Sequence, residues 1–169
     1  MKIEEKNGFT LIELLFYTII IAIILSGISI LLQLLLSSRI KNATIAEVEQ
    51  QGNFILQTVT QSVRNAQSIT IPSIGSSGSV LELIVPQAGN SPTIFDSVSG
   101  TMRIREGNPA VSNNLTSSRV LVSVITFKNV SKPDTPGSIK IEFTLTYKNA
   151  GLRNEYDYSK TFYGSATLH

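Results

Sequence analysis

The sequence has no cysteine, so no disulfide staples it, and neither a thiolate metal site nor a thiol nucleophile is available. It has a single histidine, His169, which is the last residue. Without an evident partner, it reads as a chain end rather than a general base or metal ligand. Excess charge is missing as well. The 14 Lys and Arg against 12 Asp and Glu leave a formal net charge of +2 over 169 residues, a field too weak to imply a nucleic-acid partner. The most informative absence is local: no Asp, Glu, Lys or Arg lies between Glu13 and Arg39, where the chain reads LLFYTIIIAIILSGISILLQLLLSS. A hydrocarbon core of about 30 Å needs about 20 apolar residues as helix, and this run is long enough to span it.

What is present elsewhere does not make an enzyme. Asp96, Asp134 and Asp157 are expected in three separate loops as turn residues, without the spacing of a calcium loop. The Ser-rich stretch Ile74-Gly75-Ser76-Ser77-Gly78-Ser79 has neither the lysine of a phosphate-binding loop nor the pattern of a nucleophile elbow, and it reads as a flexible linker. Asn42-Ala43-Thr44, Asn114-Leu115-Thr116 and Asn129-Val130-Ser131 match the glycosylation tripeptide, a pattern short enough to arise by chance. The expectation is no catalysis, no cofactor and no metal site.

The apolar run differs from a secretory signal, which ends in small residues of A-x-A type. Here it passes directly into SSRIKNATIAEVEQQ, which continues a helical pattern. The processing-like feature lies ahead of the run instead. Gly8-Phe9-Thr10-Leu11-Ile12-Glu13-Leu14-Leu15 resembles the N-terminal signal of type IV pilins and of the pseudopilins of type II secretion. In that family a membrane peptidase cuts after the glycine and methylates the new N-terminus. The resemblance implies cleavage after Gly8 and N-methylation of Phe9, and it places Glu13 at the family's acidic position.

Each residue also has a physical reason. Gly8 lets the backbone extend into a protease cleft. Glu13 puts a carboxylate at the start of a membrane helix, which costs a few kcal/mol at the bilayer centre unless a partner neutralises it. The resemblance supplies that partner: the free amine of Phe9 in a neighbouring subunit. The bland alternative places Glu13 at the headgroup interface, where it favours the helix N-terminus. Basic residues do not set the orientation, since Lys2 and Lys6 stand against Arg39 and Lys41. The leader in the cytoplasm and the head outside follow from the resemblance. Calcium in a head loop is also known among such relatives.

Past the membrane run, Ile45, Val48, Ile55, Leu56, Val59, Val63 and Ala66 recur at helical spacing, opposite Lys41, Glu47, Gln50, Gln51, Gln57, Gln61 and Arg64. One helix is expected from Thr10 to about Ser68, with Gly27 and Gly52 as weak points and Pro72 closing it. Ile30 occupies the neighbourhood where many relatives carry a proline, so no proline kink is expected there. Strands are expected at 80–85, 102–105, 119–127, 138–147 and 158–168. The clearest alternates Ile139, Ile141, Phe143, Leu145 and Tyr147 with Lys140, Glu142, Thr144, Thr146 and Lys148. Asn149 to Asp157 would join the last two as an antiparallel hairpin.

The expected fold is α+β and pilin-like: a long N-terminal helix with a transmembrane half and an amphipathic half, packed on an antiparallel β-sheet head. Its parts would be a leader (1–8), the membrane half (9–38), the amphipathic half (39–70) and the head (71–169). The head is similar to those of minor pilins and minor pseudopilins, and it lacks the C-terminal cysteine pair of many major pilins. The resemblance implies a minor filament subunit used in secretion, DNA uptake, adhesion or motility. Its partners would be a prepilin peptidase, other pilin or pseudopilin subunits, an inner-membrane assembly platform and membrane lipid. The competing reading is a single-pass anchored module whose head binds a ligand.

Overall fold

The computed structural model describes residues 10–169. The expected leader, with Gly8 and Phe9, lies outside the described residues. The chain divides into two compact units, residues 1–40 and 41–169, and the helix α1 (Leu11–Arg64) belongs to both.

In the first unit every residue from Thr10 to Leu36 is exposed. Among the described residues, α1 is the one helix long and apolar enough to cross a membrane. Three of its hydroxyls are satisfied by the helix itself: those of Thr18, Ser29 and Ser37 donate to the carbonyls of Leu15, Leu25 and Gln33 at 2.8, 2.8 and 3.0 Å. That is how a hydroxyl is accommodated where no water is available. The helix passes through Gly27 without a break.

In the second unit, α1 buries Thr44, Val48, Gly52, Ile55, Val59 and Val63, one stripe at steps of three and four. The expected helix ran to about Ser68, yet it stops at Arg64. Ala66 N–H turns back to the carbonyl of Val63, and Gln67 N–H donates to Ile84 at 2.7 Å. The β-branched run Ile69-Thr70-Ile71 then favours extension and forms β1 (Ser68–Ile71).

Gly52, expected as a weak point, is a contact point instead. A Cβ there would lie 2.1 Å from the ring of Phe162. Only glycine lets the ring seat on the helix backbone, and the ring stacks in turn on Phe143 at 5.3 Å between centroids.

After β1 come β2 (Ser77–Gly78), β3 (Leu81–Ile84), β4 (Thr93–Val98), β5 (Thr101–Glu106), β6 (Val111–Asn114), β7 (Val120–Asn129), β8 (Ser138–Tyr147) and β9 (Ser159–Thr167). They form two antiparallel sheets, ordered β1-β3-β4-β5-β6 and β2-β7-β8-β9. The alternation read in the sequence holds in β8, where Ile139, Ile141, Phe143 and Leu145 are buried while Lys140 and Glu142 are exposed. The expected hairpin to the last strand is present as the β8–β9 ladder.

Four strands were not anticipated: β1, β2, β4 and β6. Ser77 and Gly78, expected to be flexible linker, pair with Lys128 and Phe127 of β7. The turn between β4 and β5 is Ser99-Gly100, with φ of 51° and 76°, the two-residue geometry that matches strand twist. Gly100 carbonyl accepts Val122 N–H at 2.8 Å, which ties the hairpin of one sheet to β7 of the other. Between the sheets and the α1 stripe lie Phe95, Phe127, Phe143, Leu81, Leu83, Met102 and Leu145, all fully buried.

Candidate functional site

The first turn of α1 is built from Thr10-Leu11-Ile12-Glu13. Glu13 N–H donates to the Thr10 hydroxyl at 3.4 Å, and that hydroxyl lies 3.5 Å from Glu13 Oε2. A threonine followed three residues later by a glutamate is the capping-box pattern, in which both side chains turn toward the open amides of the helix start. The carboxylate is also where the helix dipole favours negative charge. Of the three site residues expected from the sequence, Glu13 is placed at the head of the apolar helix, while Gly8 and Phe9 lie outside the described residues. Among the described residues of its own unit the Glu13 carboxylate forms no ion pair, and its first turn is exposed.

His169 is exposed at the chain end. Asp134 occupies a turn with φ of 60°, and Asp157 follows a short 3-10 turn, Asn154–Tyr156, both as expected. Asp96 is a correction: it sits in β4 and is 7 % exposed. There it pairs with Arg103, its cross-strand partner in β5, and with Arg105 at 2.8 Å. Burial pushes its carboxyl up, but the Arg103 and Arg105 guanidiniums together outweigh that and hold it below the usual carboxylate range. An aspartate locked between two arginines carries structure, not a metal. Among the described residues no group of three His, Cys, Asp or Glu could hold a metal ion. Asn129 is 1 % exposed and donates to Pro72 carbonyl at 2.8 Å, so the asparagine of the third glycosylation tripeptide is buried and structural.

Lys41 and Gln51, which the sequence puts opposite the apolar stripe, hold α1 against the head, and so does Glu49, to which the sequence reading assigned no face. Lys41 Nζ donates to the carbonyls of Asp157 and Asn154 at 2.6 and 3.1 Å. Gln51 exchanges two bonds with Ser117: its amide donates to the hydroxyl at 2.7 Å and its oxygen accepts Ser117 N–H at 2.9 Å. Glu49 pairs with Lys160 of β9 at 2.7 Å. Hydrogen bonding and charge attraction from Lys160 lower the Glu49 pKa, and the Glu49 hydrogen bond raises that of Lys160. Helical spacing alone puts these residues on the flanks of the stripe, and nothing in the sequence says what each would meet.

The family described as the prokaryotic N-terminal methylation motif matches residues 5–29. The match supports the type IV pilin and pseudopilin class, whose subunits are structural rather than enzymatic. It spans the motif and most of the apolar run, and the whole head lies outside it. No curated protein and no solved structure matches the chain.

Proposed function

We propose, from the premise that the N-terminus carries the prokaryotic methylation motif, that the chain is a minor subunit of a type IV pilus or a type II secretion-type pseudopilus. It is processed by a prepilin peptidase after Gly8, methylated at Phe9, held in the membrane by the first part of α1, and drawn into a filament by helix packing.

The observation that carries this reading is the position of the motif directly against a helix that buries nothing of its own from Thr10 to Leu36. An apolar surface of that length needs lipid or other copies of itself. Glu13 sits at its start, in the first turn. In lipid a carboxylate there needs a cation, and removal of a leader creates one at Phe9 of the next subunit.

The head then faces the extracytoplasmic side, and the assembly platform and sister subunits are the partners. The test is Glu13→Ala. A filament subunit so altered inserts in the membrane and fails to appear in the sheared filament fraction. If it assembles as well as the parent chain, the carboxylate has no part in assembly and the reading fails. An anchored binding module would be indifferent to the change.

A further inference from the structure

The last strand leaves one side of its sheet open. β9 stands at the edge of the order β2-β7-β8-β9. Leu168 N–H bonds Gly137 carbonyl, and Tyr158 carbonyl accepts Tyr147 N–H, so the even-numbered residues of β9 face β8. Alternation then sends the N–H and C=O of Ser159, Thr161, Tyr163, Ser165 and Thr167 outward. Among the described residues, nothing in the second unit bonds them.

The usual guards of an edge strand are missing. β9 has nine residues, no proline and no register shift along its ladder, unlike β1 and β7. Its one charge, on Lys160, is drawn to the inner side by Glu49 and lies over the Phe162 ring. The other edge strands, β1, β6 and β2, have four, four and two residues.

We propose that this edge pairs antiparallel with β9 of a second copy, about a two-fold axis at Tyr163, which is 68 % exposed. The strand is self-complementary in that register. On the outer face Ser159 meets Thr167, Thr161 meets Ser165, and Tyr163 meets its own copy. Hydroxyl pairs of this kind already cross the β8–β9 ladder, at Ser138 with Thr167 (3.0 Å), Thr144 with Thr161 (2.8 Å) and Thr146 with Ser159 (2.9 Å). On the inner face bulky Phe162 meets Gly164, and Lys160 meets Ala166. A register two residues away would instead set Phe162 against its own copy.

The helix flank beneath the edge also has room. Glu49, Gly52 and Leu56 lie against Lys160, Phe162 and Gly164, and their neighbours one turn away are the small residues Ala46, Asn53 and Thr60.

The same three contacts rise together along both elements, so β9 runs in the direction of the head half of α1. A two-fold axis normal to the sheet therefore sets the two head halves of α1 antiparallel. Subunits of one polar filament share a single direction, so this contact joins copies from different filaments or from facing surfaces.

The absence of cysteine makes the test clean. In the full-length chain in detergent micelles, mild oxidation should convert Tyr163→Cys largely to a disulfide dimer, since hydrogen-bonded cross-strand residues are about 5.5 Å apart at Cα and within disulfide reach. Thr161→Cys alone and Ser165→Cys alone should stay monomeric, whereas their mixture should cross-link. In proteoliposomes the parent chain should cluster vesicles. Ser165→Pro should abolish clustering without lowering the melting temperature much, because the N–H it removes is not used by β8. A monomeric Tyr163→Cys, or equal cross-linking of all three single variants, overturns the proposal.

Discussion

Residues 10–40 and residues 41–169 divide the work of this chain in opposite ways. The first unit has no core of its own and its side chains from Thr10 to Leu36 are exposed, yet it is where the methylation-motif family matches. The second has a core of phenylalanine and branched aliphatic residues, and several of its charged groups, such as Asp96 with Arg103 and Arg105 and Glu49 with Lys160, pair within it. The comparison teaches that a surface left without internal partners is where outside partners are to be sought, and that a satisfied polar cluster such as Asp96 with Arg103 and Arg105 is where they are not.

The largest effect that would sharpen this contrast is in the head core. Phe143→Ala removes a fully buried ring stacked on Phe162 and should cost about 3–5 kcal/mol in a denaturant titration, while membrane extraction of the chain stays unchanged. Loss of membrane insertion in this variant would show that the two units are not independent. Glycines in the two halves of α1 should behave differently. Gly52→Val drives a side chain into the Phe162 ring and should destabilise the head by about 1–3 kcal/mol. Gly27→Ala, where a methyl meets nothing within 4 Å, should leave the head's melting temperature where it was. Equal effects would break the comparison.

A smaller effect is acid sensitivity. The folded-state pKa of Asp96 lies below its ordinary 3.8, so its contribution is complete above that pH and is lost as the pH falls through the depressed value. Asp96→Asn should lower stability by about 1–2 kcal/mol near neutrality, allowing for the solvent that reaches both arginines, and should flatten the acid limb of a pH–stability profile. A limb unchanged by the substitution would assign acid unfolding elsewhere. Glu49→Gln should matter least, because both members of the Glu49–Lys160 pair are about two-fifths exposed. The expected result is a barely shifted melting temperature that becomes indistinguishable from the parent's in high salt.

Parts of this were legible in the sequence because a single strong pattern governed them. The uncharged run after Glu13 fixes a membrane-length helix, and the alternation from Ile139 to Tyr147 fixes β8. β4 was missed because Pro92 and Asp96 are turn-forming residues on composition, and only the cross-strand arginines make a buried aspartate tolerable in a strand. β6 was missed because all four of its residues, Val111-Ser112-Asn113-Asn114, are exposed and so show no alternation. Gly52 reads as a helix weakness until Phe162, far along the chain, is seen to need the space. At the candidate site, GFTLIE was legible by its resemblance to a family signal and by its abutment on the apolar run, and the Thr10–Glu13 cap adds a local reason for two of its residues. Among the described residues no cation pairs with Glu13, so its proposed partner has to be sought outside them.

The claim that this N-terminus is a processed assembly signal is tested most directly by the intact mass of the mature protein, extracted from membranes of cells that also contain a prepilin peptidase. The account predicts a chain that begins at Phe9 and carries one additional methyl group. A chain that still begins at Met1, or at any residue other than Phe9, would contradict it.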